Sequence, residues 1–127
     1  MNSIDGERIR SAIHAAETGT SGRIGVRVSG KHVPDALERA RADFRRARLH
    51  EHPDANGVLF LVAPKSRKFA VYGGEAIHAR LGDAFWKSLV DGMTPYFVQG
   101  HPTDGLVFGI ARVGEALRSH FPSLVKA

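Results

Sequence analysis

Asn56-Gly57-Val58-Leu59-Phe60-Leu61-Val62-Ala63-Pro64-Lys65-Ser66-Arg67-Lys68-Phe69-Ala70-Val71-Tyr72-Gly73-Gly74 decides the fold. From Val58 to Ala63 the side chains are apolar without a break. A short continuous apolar run bounded by turn residues reads as a strand covered on both faces. Pro64 to Arg67 supplies turn chemistry, and the second arm sets Phe69 and Val71 against Lys68 and Ala70. The stretch is a β-hairpin. A strand covered on both faces needs elements above and below it, and the rest of the chain should supply them.

Working outward toward the N-terminus, Ile9, Ala12, Ile13 and Ala16 keep helical spacing and predict a helix over Ile4 to Thr18, with Gly19 at its end. Arg23 to Ser29 alternates, with Ile24, Val26 and Val28 on one face and Arg23, Gly25 and Arg27 on the other. Leu37, Ala40, Phe44 and Ala47 form the stripe of a second helix from Pro34 or Asp35 to Leu49. Arg41, Arg45 and Arg48 share one flank of it, with Arg39, Asp43 and Arg46 on the other. His50 to Ala55 reads as a polar loop, because Pro53 disfavours helix at His52.

Beyond the hairpin, Gly73-Gly74 ends the strand and a helical stripe starts near Asp83, carried by Leu81, Phe85 and Leu89. Gly92 and Thr94-Pro95 interrupt it, predicting a kink or a new helix capped by Thr94. Thr103 is the expected cap of a last helix with core positions Leu106, Ile110, Val113 and Leu117. The order is α-β-α-β-β-α-α. A helical connection fits a right-handed parallel crossover between the first two strands, and the hairpin makes the third antiparallel. The fold class is α/β: one sandwich over residues 1–127, a small mixed sheet of roughly three or four strands with helices on both faces.

The chain has 127 residues, suited to one core, and no linker, repeat or low-complexity tract. No apolar stretch approaches the ~20 residues of a membrane span, and the N-terminus lacks the pattern of a secretion signal. There is no cysteine, which excludes disulfides and thiolate metal sites. The expected location is cytoplasmic. A net charge of +5 favours anionic partners, though it speaks equally to a solvated basic surface.

The topology predicts which loops meet. One rim of the sheet should gather Glu17, Thr20 and Ser21, then Asp54 and Asn56, then Tyr72, Gly74 and Glu75. Carboxylates, an amide and hydroxyls are ligands for Ca²⁺ or Mg²⁺, and Glu17, Asp54, Asn56 and Glu75 are the candidate metal ligands. The competing reading makes the same residues helix ends and loop caps. The opposite rim should hold Gly30, Lys31, His32 and the hairpin tip Lys65, Ser66, Arg67 and Lys68. That tip could meet phosphate, or simply be solvated and guard the sheet edge. No stacking aromatics accompany it, so no strong nucleic-acid signature exists.

His50-Glu51-His52 lacks the companions of a zinc site and reads as solvated loop. Trp86, Tyr96 and Phe97 read as packing residues. No nucleophile elbow, phosphate-cradling loop, dinucleotide fingerprint or zinc-protease helix is present. Catalytic residues are therefore unassigned.

Glu17-Thr18, Ser21-Gly22, Asn56-Gly57-Val58-Leu59 and Arg67-Lys68-Phe69-Ala70-Val71-Tyr72-Gly73-Gly74 resemble the TPM domain family. The spacing of Phe85-Trp86, Met93, Phe97, Gly100, Gly105-Leu106, Val113-Gly114 and Phe121-Pro122 extends the likeness over nearly the whole chain. The resemblance implies an α/β sandwich. It also implies relatives linked to acid phosphatase activity in plant thylakoids and bacterial relatives that bind calcium. Signal peptides and membrane anchors are common in the family, and this chain resembles its short soluble bacterial type. Two departures stand out. Arg23 replaces the acidic residue the family pattern has after the glycine before strand one, and Gly73-Gly74 replaces Gly-Asp, with Glu75 one place late.

Two functional readings follow. The first is a TPM-domain protein with weak divalent-cation binding and phosphomonoester hydrolase activity, acting on a phosphorylated small molecule. The second is a non-catalytic module that engages an anionic protein partner through its basic helix and hairpin tip.

Overall fold

A computed structural model of the chain describes residues 4–51 and 56–123. Gly6–Glu17 form α1, Arg23–Val28 β1, Ala36–Arg46 α2, Gly57–Ala63 β2, Lys68–Gly73 β3, Glu75–Val98 α3 and Pro102–His120 α4. Short 3-10 turns at Leu49–Glu51 and Pro64–Ser66 lie before and after β2. The order α-β-α-β-β-α-α is the one the periodicity predicts.

The sheet has three strands in the order β1-β2-β3. β1 runs parallel to β2, with Arg23 opposite Gly57 and Val28 opposite Val62. β3 returns antiparallel, with Val58 opposite Gly73 and Ala63 opposite Lys68. Every residue of β2 is buried, which explains why its sequence does not alternate. Val58, Phe60 and Val62 pack with Ile24 and the apolar faces of α1, α3 and α4. Leu59, Leu61 and Ala63 face the other way, onto Ala40 and Phe44 of α2. The result is three layers: three helices, the sheet, and α2 alone on the far side.

Aspartates start the first two helices. The Asp5 carboxylate accepts the Glu7 and Arg8 amides at 3.1 and 3.2 Å, and Asp35 accepts the Glu38 amide at 3.1 Å. α1 and α4 run side by side in the same direction. Asp5 donates its backbone N–H to Thr103 Oγ1 at 3.0 Å, and Arg8 pairs with Asp104 at 2.9 Å. At the other end Arg118 donates to the Ala16 carbonyl at 3.3 Å.

The C-terminal half corrects three sequence expectations. α3 begins at Glu75, eight residues earlier in the chain than Asp83 by simple numbering. Gly82, at φ 77° and ψ 166°, breaks the helical path between the first turns and the rest of the helix. The helix then runs through Gly92, Thr94 and Pro95 to Val98, and Thr94 turns its hydroxyl back onto the Val90 carbonyl at 2.7 Å. Thr103 is not the cap of α4. His101 holds that position, and Thr103 is buried in the first turn as the partner of Asp5.

The aromatic residues serve packing, as their positions suggest. Phe97 stacks on Phe69 with centroids 4.3 Å apart, Tyr96 meets Phe108 at 5.6 Å, and Trp86 meets Phe85 edge-on at 5.2 Å. Among the described residues no helix is long and apolar enough to cross a membrane.

Candidate functional site

Because β1 and β2 are parallel and β3 is antiparallel, the starts of β1 and β2 and the end of β3 share one rim. Gly74 continues the ladder there, donating to the Gly57 carbonyl at 2.8 Å. The rim has two sides, separated by the sheet, and they differ in chemistry.

On the side of the three helices, α1 ends with Glu17. Its carboxylate accepts the Ile24 amide at 2.7 Å. Ser29 donates its own amide to Val62, so alternation along β1 turns the Ile24 amide toward the outer edge. Glu17 thus closes part of an open strand edge. Thr20 uses its hydroxyl on the Leu117 and Phe121 carbonyls and accepts the Gly22 amide, fastening the end of α4 to the sheet. Asn56 is fully buried. Its amide nitrogen donates to Ser21 Oγ at 3.1 Å, while its amide oxygen has no partner.

On the side of α2, a cleft of about 180 Å³ opens between α2 and the end of β3. Arg41, Phe44, Arg45, His50, Tyr72 and Glu75 line it. Phe44 meets Tyr72 edge-on, with centroids 5.0 Å apart. The arginines of α2 divide into two groups. Arg39 and Arg46 both bond the buried carboxylate of Asp43, at 3.1 and 3.0 Å. Arg41 and Arg45, four residues apart and exposed, have no ion pair among the described residues. Arg48 has left the flank predicted for it. The helix ends at Arg46, Arg48 sits at φ 62°, and its guanidinium holds Glu51 at 2.8 and 3.1 Å.

The candidate metal ligands therefore occupy different surroundings. Glu17 and Asn56 belong to the helical side of the rim, and Glu75 is exposed in the α2 cleft. Asp54 lies outside the described residues. Among the described residues no three His, Asp or Glu side chains gather closely enough to hold a metal ion.

At the opposite rim the hairpin tip is stitched to the loop before α2. Ser66 Oγ accepts the Val33 amide at 2.6 Å and meets His32 Nδ1 at 2.9 Å, and Lys68 donates to the Pro34 carbonyl. Arg67 adopts the left-handed conformation that closes the turn. Lys65 and Arg67 are exposed there, while Ser66 and Lys68 hold the scaffold.

The cleft is the feature that sequence reading did not assemble. Tyr72 shares a strand face with Ala70, opposite Phe69 and Val71, and α2 covers that face. That alternation, joined to the Phe44 stripe, was the available signal.

A family model described as the TPM domain matches residues 2–116. The solution structure of the BA42 protein from the psychrophilic bacterium Bizionia argentinensis is 33% identical, with a TM-score of 0.84 over 95% of this chain and 86% of that one. The N-terminal domain of the cg2496 protein from Corynebacterium glutamicum shares the fold at 17% identity, with a TM-score of 0.71 over 97% of this chain and 78% of that one. The N-terminal domain of a P. gingivalis protein does so at 19% identity, with a TM-score of 0.68 over 91% and 74%. No curated protein matches the chain.

Proposed function

Because the chain belongs to the TPM domain family, we propose that this member is a binding module for an anionic partner, engaged through the exposed face of α2. One observation carries the reading: Arg41 and Arg45 stand free of ion pairs among the described residues while their neighbours Arg39 and Arg46 are spent on Asp43. A guanidinium without a carboxylate keeps all its donors for phosphate, sulfate or carboxylate groups brought by a ligand. The net charge of +5 adds long-range attraction, and Lys65 and Arg67 at the hairpin tip extend it. Heparin chromatography tests this directly. The wild type should be retained at low salt and elute as salt rises, and an Arg41→Gln/Arg45→Gln double variant should elute much earlier. Equal elution of the two proteins, or no retention at all, would sink the reading.

A second reading is favoured by Asn56, whose buried amide oxygen has no partner. An unpaired neutral oxygen is a donor suited to Ca²⁺ or Mg²⁺, and Glu17 lies on the same side of the rim. The fit is incomplete. The Glu17 carboxylate already holds the Ile24 amide, and Glu75 opens on the other side of the sheet. The described residues do not complete a cation cage, so no phosphatase step can be routed through one. Weak binding of Ca²⁺ or Mg²⁺ is what this side of the rim supports. Calorimetric titration with either ion checks it, and an absence of both heat and melting-temperature change at millimolar metal would remove it.

A further inference from the structure

We propose that the outer edge of β1 accepts an extended, acidic segment of another protein as a fourth strand of the sheet. This surface lies apart from the α2 cleft, and the inference goes beyond the anionic partner of the α2 face.

β1 is an edge strand, paired only with β2. Ser29 gives its amide to Val62, so alternation turns the backbone groups of Ile24, Val26 and Val28 outward. Glu17 takes the Ile24 amide at 2.7 Å and closes that end of the edge. The Ile24 carbonyl and both backbone groups of Val26 and Val28 have no hydrogen-bond partner among the described residues. A row of open donors and acceptors is what strand addition uses. Val28 is also 50% exposed, and an added strand would cover it.

The chemistry of the partner follows from the other face of β1, which carries Arg23, Gly25 and Arg27. Helix α2 packs on β2 and β3. Arg23 and Arg27 are exposed and have no ion pair among the described residues. A partner residue opposite Gly25 is diagonal to both arginines, at a spacing that long side chains bridge. One glutamate there can accept hydrogen bonds from two guanidiniums. Its neighbours along the strand turn to the Val26 and Val28 face and should be apolar. The same arginines reject a second copy of this chain. Antiparallel pairing centred on Gly25 sets each Arg23 against the other Arg27, and pairing centred on Arg27 sets that residue against itself. The far edge of the sheet offers less. β3 has α2 on one face and α3 on the other, and Lys68, its one cation, is bonded to the Pro34 carbonyl.

Titration of the full chain with the blocked peptide Thr-Val-Thr-Val-Glu-Val-Thr, followed by amide shifts and hydrogen exchange, tests the proposal. The amides of Val26 and Val28 should shift and become protected from exchange. Replacing the peptide's glutamate by glutamine should weaken binding about tenfold, the loss of a charge-assisted hydrogen bond. Arg27→Gln in the protein should do the same, whereas Lys87→Gln, an exposed change on α3, should not. N-methylating the valine before the glutamate removes the donor to the Val26 carbonyl and should abolish binding without altering the protein. Val28→Pro removes an outward N–H that an edge strand can spare and should abolish it too. Unmoved β1 amides, equal affinity of the glutamine peptide, or full binding of the N-methylated peptide would each overturn the proposal. Shifts centred on Arg41 and Arg45 would also overturn it, while leaving the anionic face of α2 standing.

Discussion

The ring of Phe44 meets the ring of Tyr72 edge-on, centroids 5.0 Å apart and planes inclined by 68°. Phe44 is 4% exposed and belongs to the core beneath α2, whereas Tyr72 also faces the cleft. One pair thus joins packing to the candidate site, and the two residues should respond differently to mutation. Phe44→Ala should lower stability by about 3–5 kcal/mol, seen as a lower midpoint in urea. Tyr72→Phe keeps the ring and should change stability by less than about 0.5 kcal/mol. A Tyr72→Phe variant that loses as much stability as Phe44→Ala would mean that the hydroxyl, and not the ring, anchors the pair.

Asp43 holds two arginines from inside α2, and its side chain is only 6% exposed. Asp43→Ala removes that acceptor and should cost about 1–3 kcal/mol, toward the low end because Arg46 is 67% exposed and already hydrated. The same change releases Arg39 and Arg46 and raises the net charge by one. Heparin should then hold the variant to higher salt than the wild type. Earlier elution of a folded Asp43→Ala protein would mean that the released arginines do not join the binding face.

The strand pattern was legible in the sequence because β2 has one environment on both faces and β1 has two. An unbroken apolar run and a clean alternation are what those environments require, and helix α2 followed from the Phe44 stripe. The start of α3 was not legible. Its first turns lie before Gly82, where a positive φ breaks the helical path, and that segment is too short to show a stripe of its own. Thr103 misled for a related reason. A threonine before an apolar run resembles a cap, but here its hydroxyl accepts the amide of Asp5 from the far end of the chain. Among the described residues Glu17, Asn56 and Glu75 lie at one end of the sheet, yet the sheet itself separates Glu75 from Glu17 and Asn56. The cleft depends on which arginines Asp43 captures, and that is a matter of side-chain distance rather than spacing.

Gly114 lets α1 and α4 touch. A Cβ built there would lie 2.7 Å from the Ala16 Cβ, 2.8 Å from its Cα and 3.2 Å from its carbonyl oxygen. Backbone cannot swing aside as a side-chain tip can. Gly114→Ala should therefore destabilise by about 1–3 kcal/mol, against the small gain in helix propensity. Adding Ala16→Gly relieves only the Cβ contact, so the double variant should recover part of the loss and no more. Full recovery would show that the helices separate without penalty.

Gly82 presents the opposite case. A Cβ there would meet nothing within 4 Å, so space is not the constraint. Its φ of 77° and ψ of 166° are a conformation open to glycine and strained for other residues. Gly82→Ala should lower stability by about 1–3 kcal/mol although no contact is lost. A stabilised alanine variant would mean that the two segments of α3 merge into one straight helix, which far-ultraviolet dichroism would register as added helix.

Asn56 offers the sharpest test of the helical side of the rim. Its side chain is fully buried, one end satisfied by Ser21 and the other unpaired, a loss of about 1–3 kcal/mol already carried by the native protein. Asn56→Asp places a carboxylate in nearly the same volume. Without a counter-ion that buried charge should depress the melting temperature strongly, because an unpaired ion is far worse placed in the interior than an unpaired amide. With a hard cation available the outcome depends on the rim. Millimolar Ca²⁺ should raise the melting temperature of the variant more than that of the wild type, since a ligand stabilises the folded state by an amount that grows with the ratio of its free concentration to its dissociation constant. If Ca²⁺ leaves both proteins unmoved, the rim does not receive a cation even when a carboxylate is supplied, and Asn56 is a buried fastener for Ser21 alone.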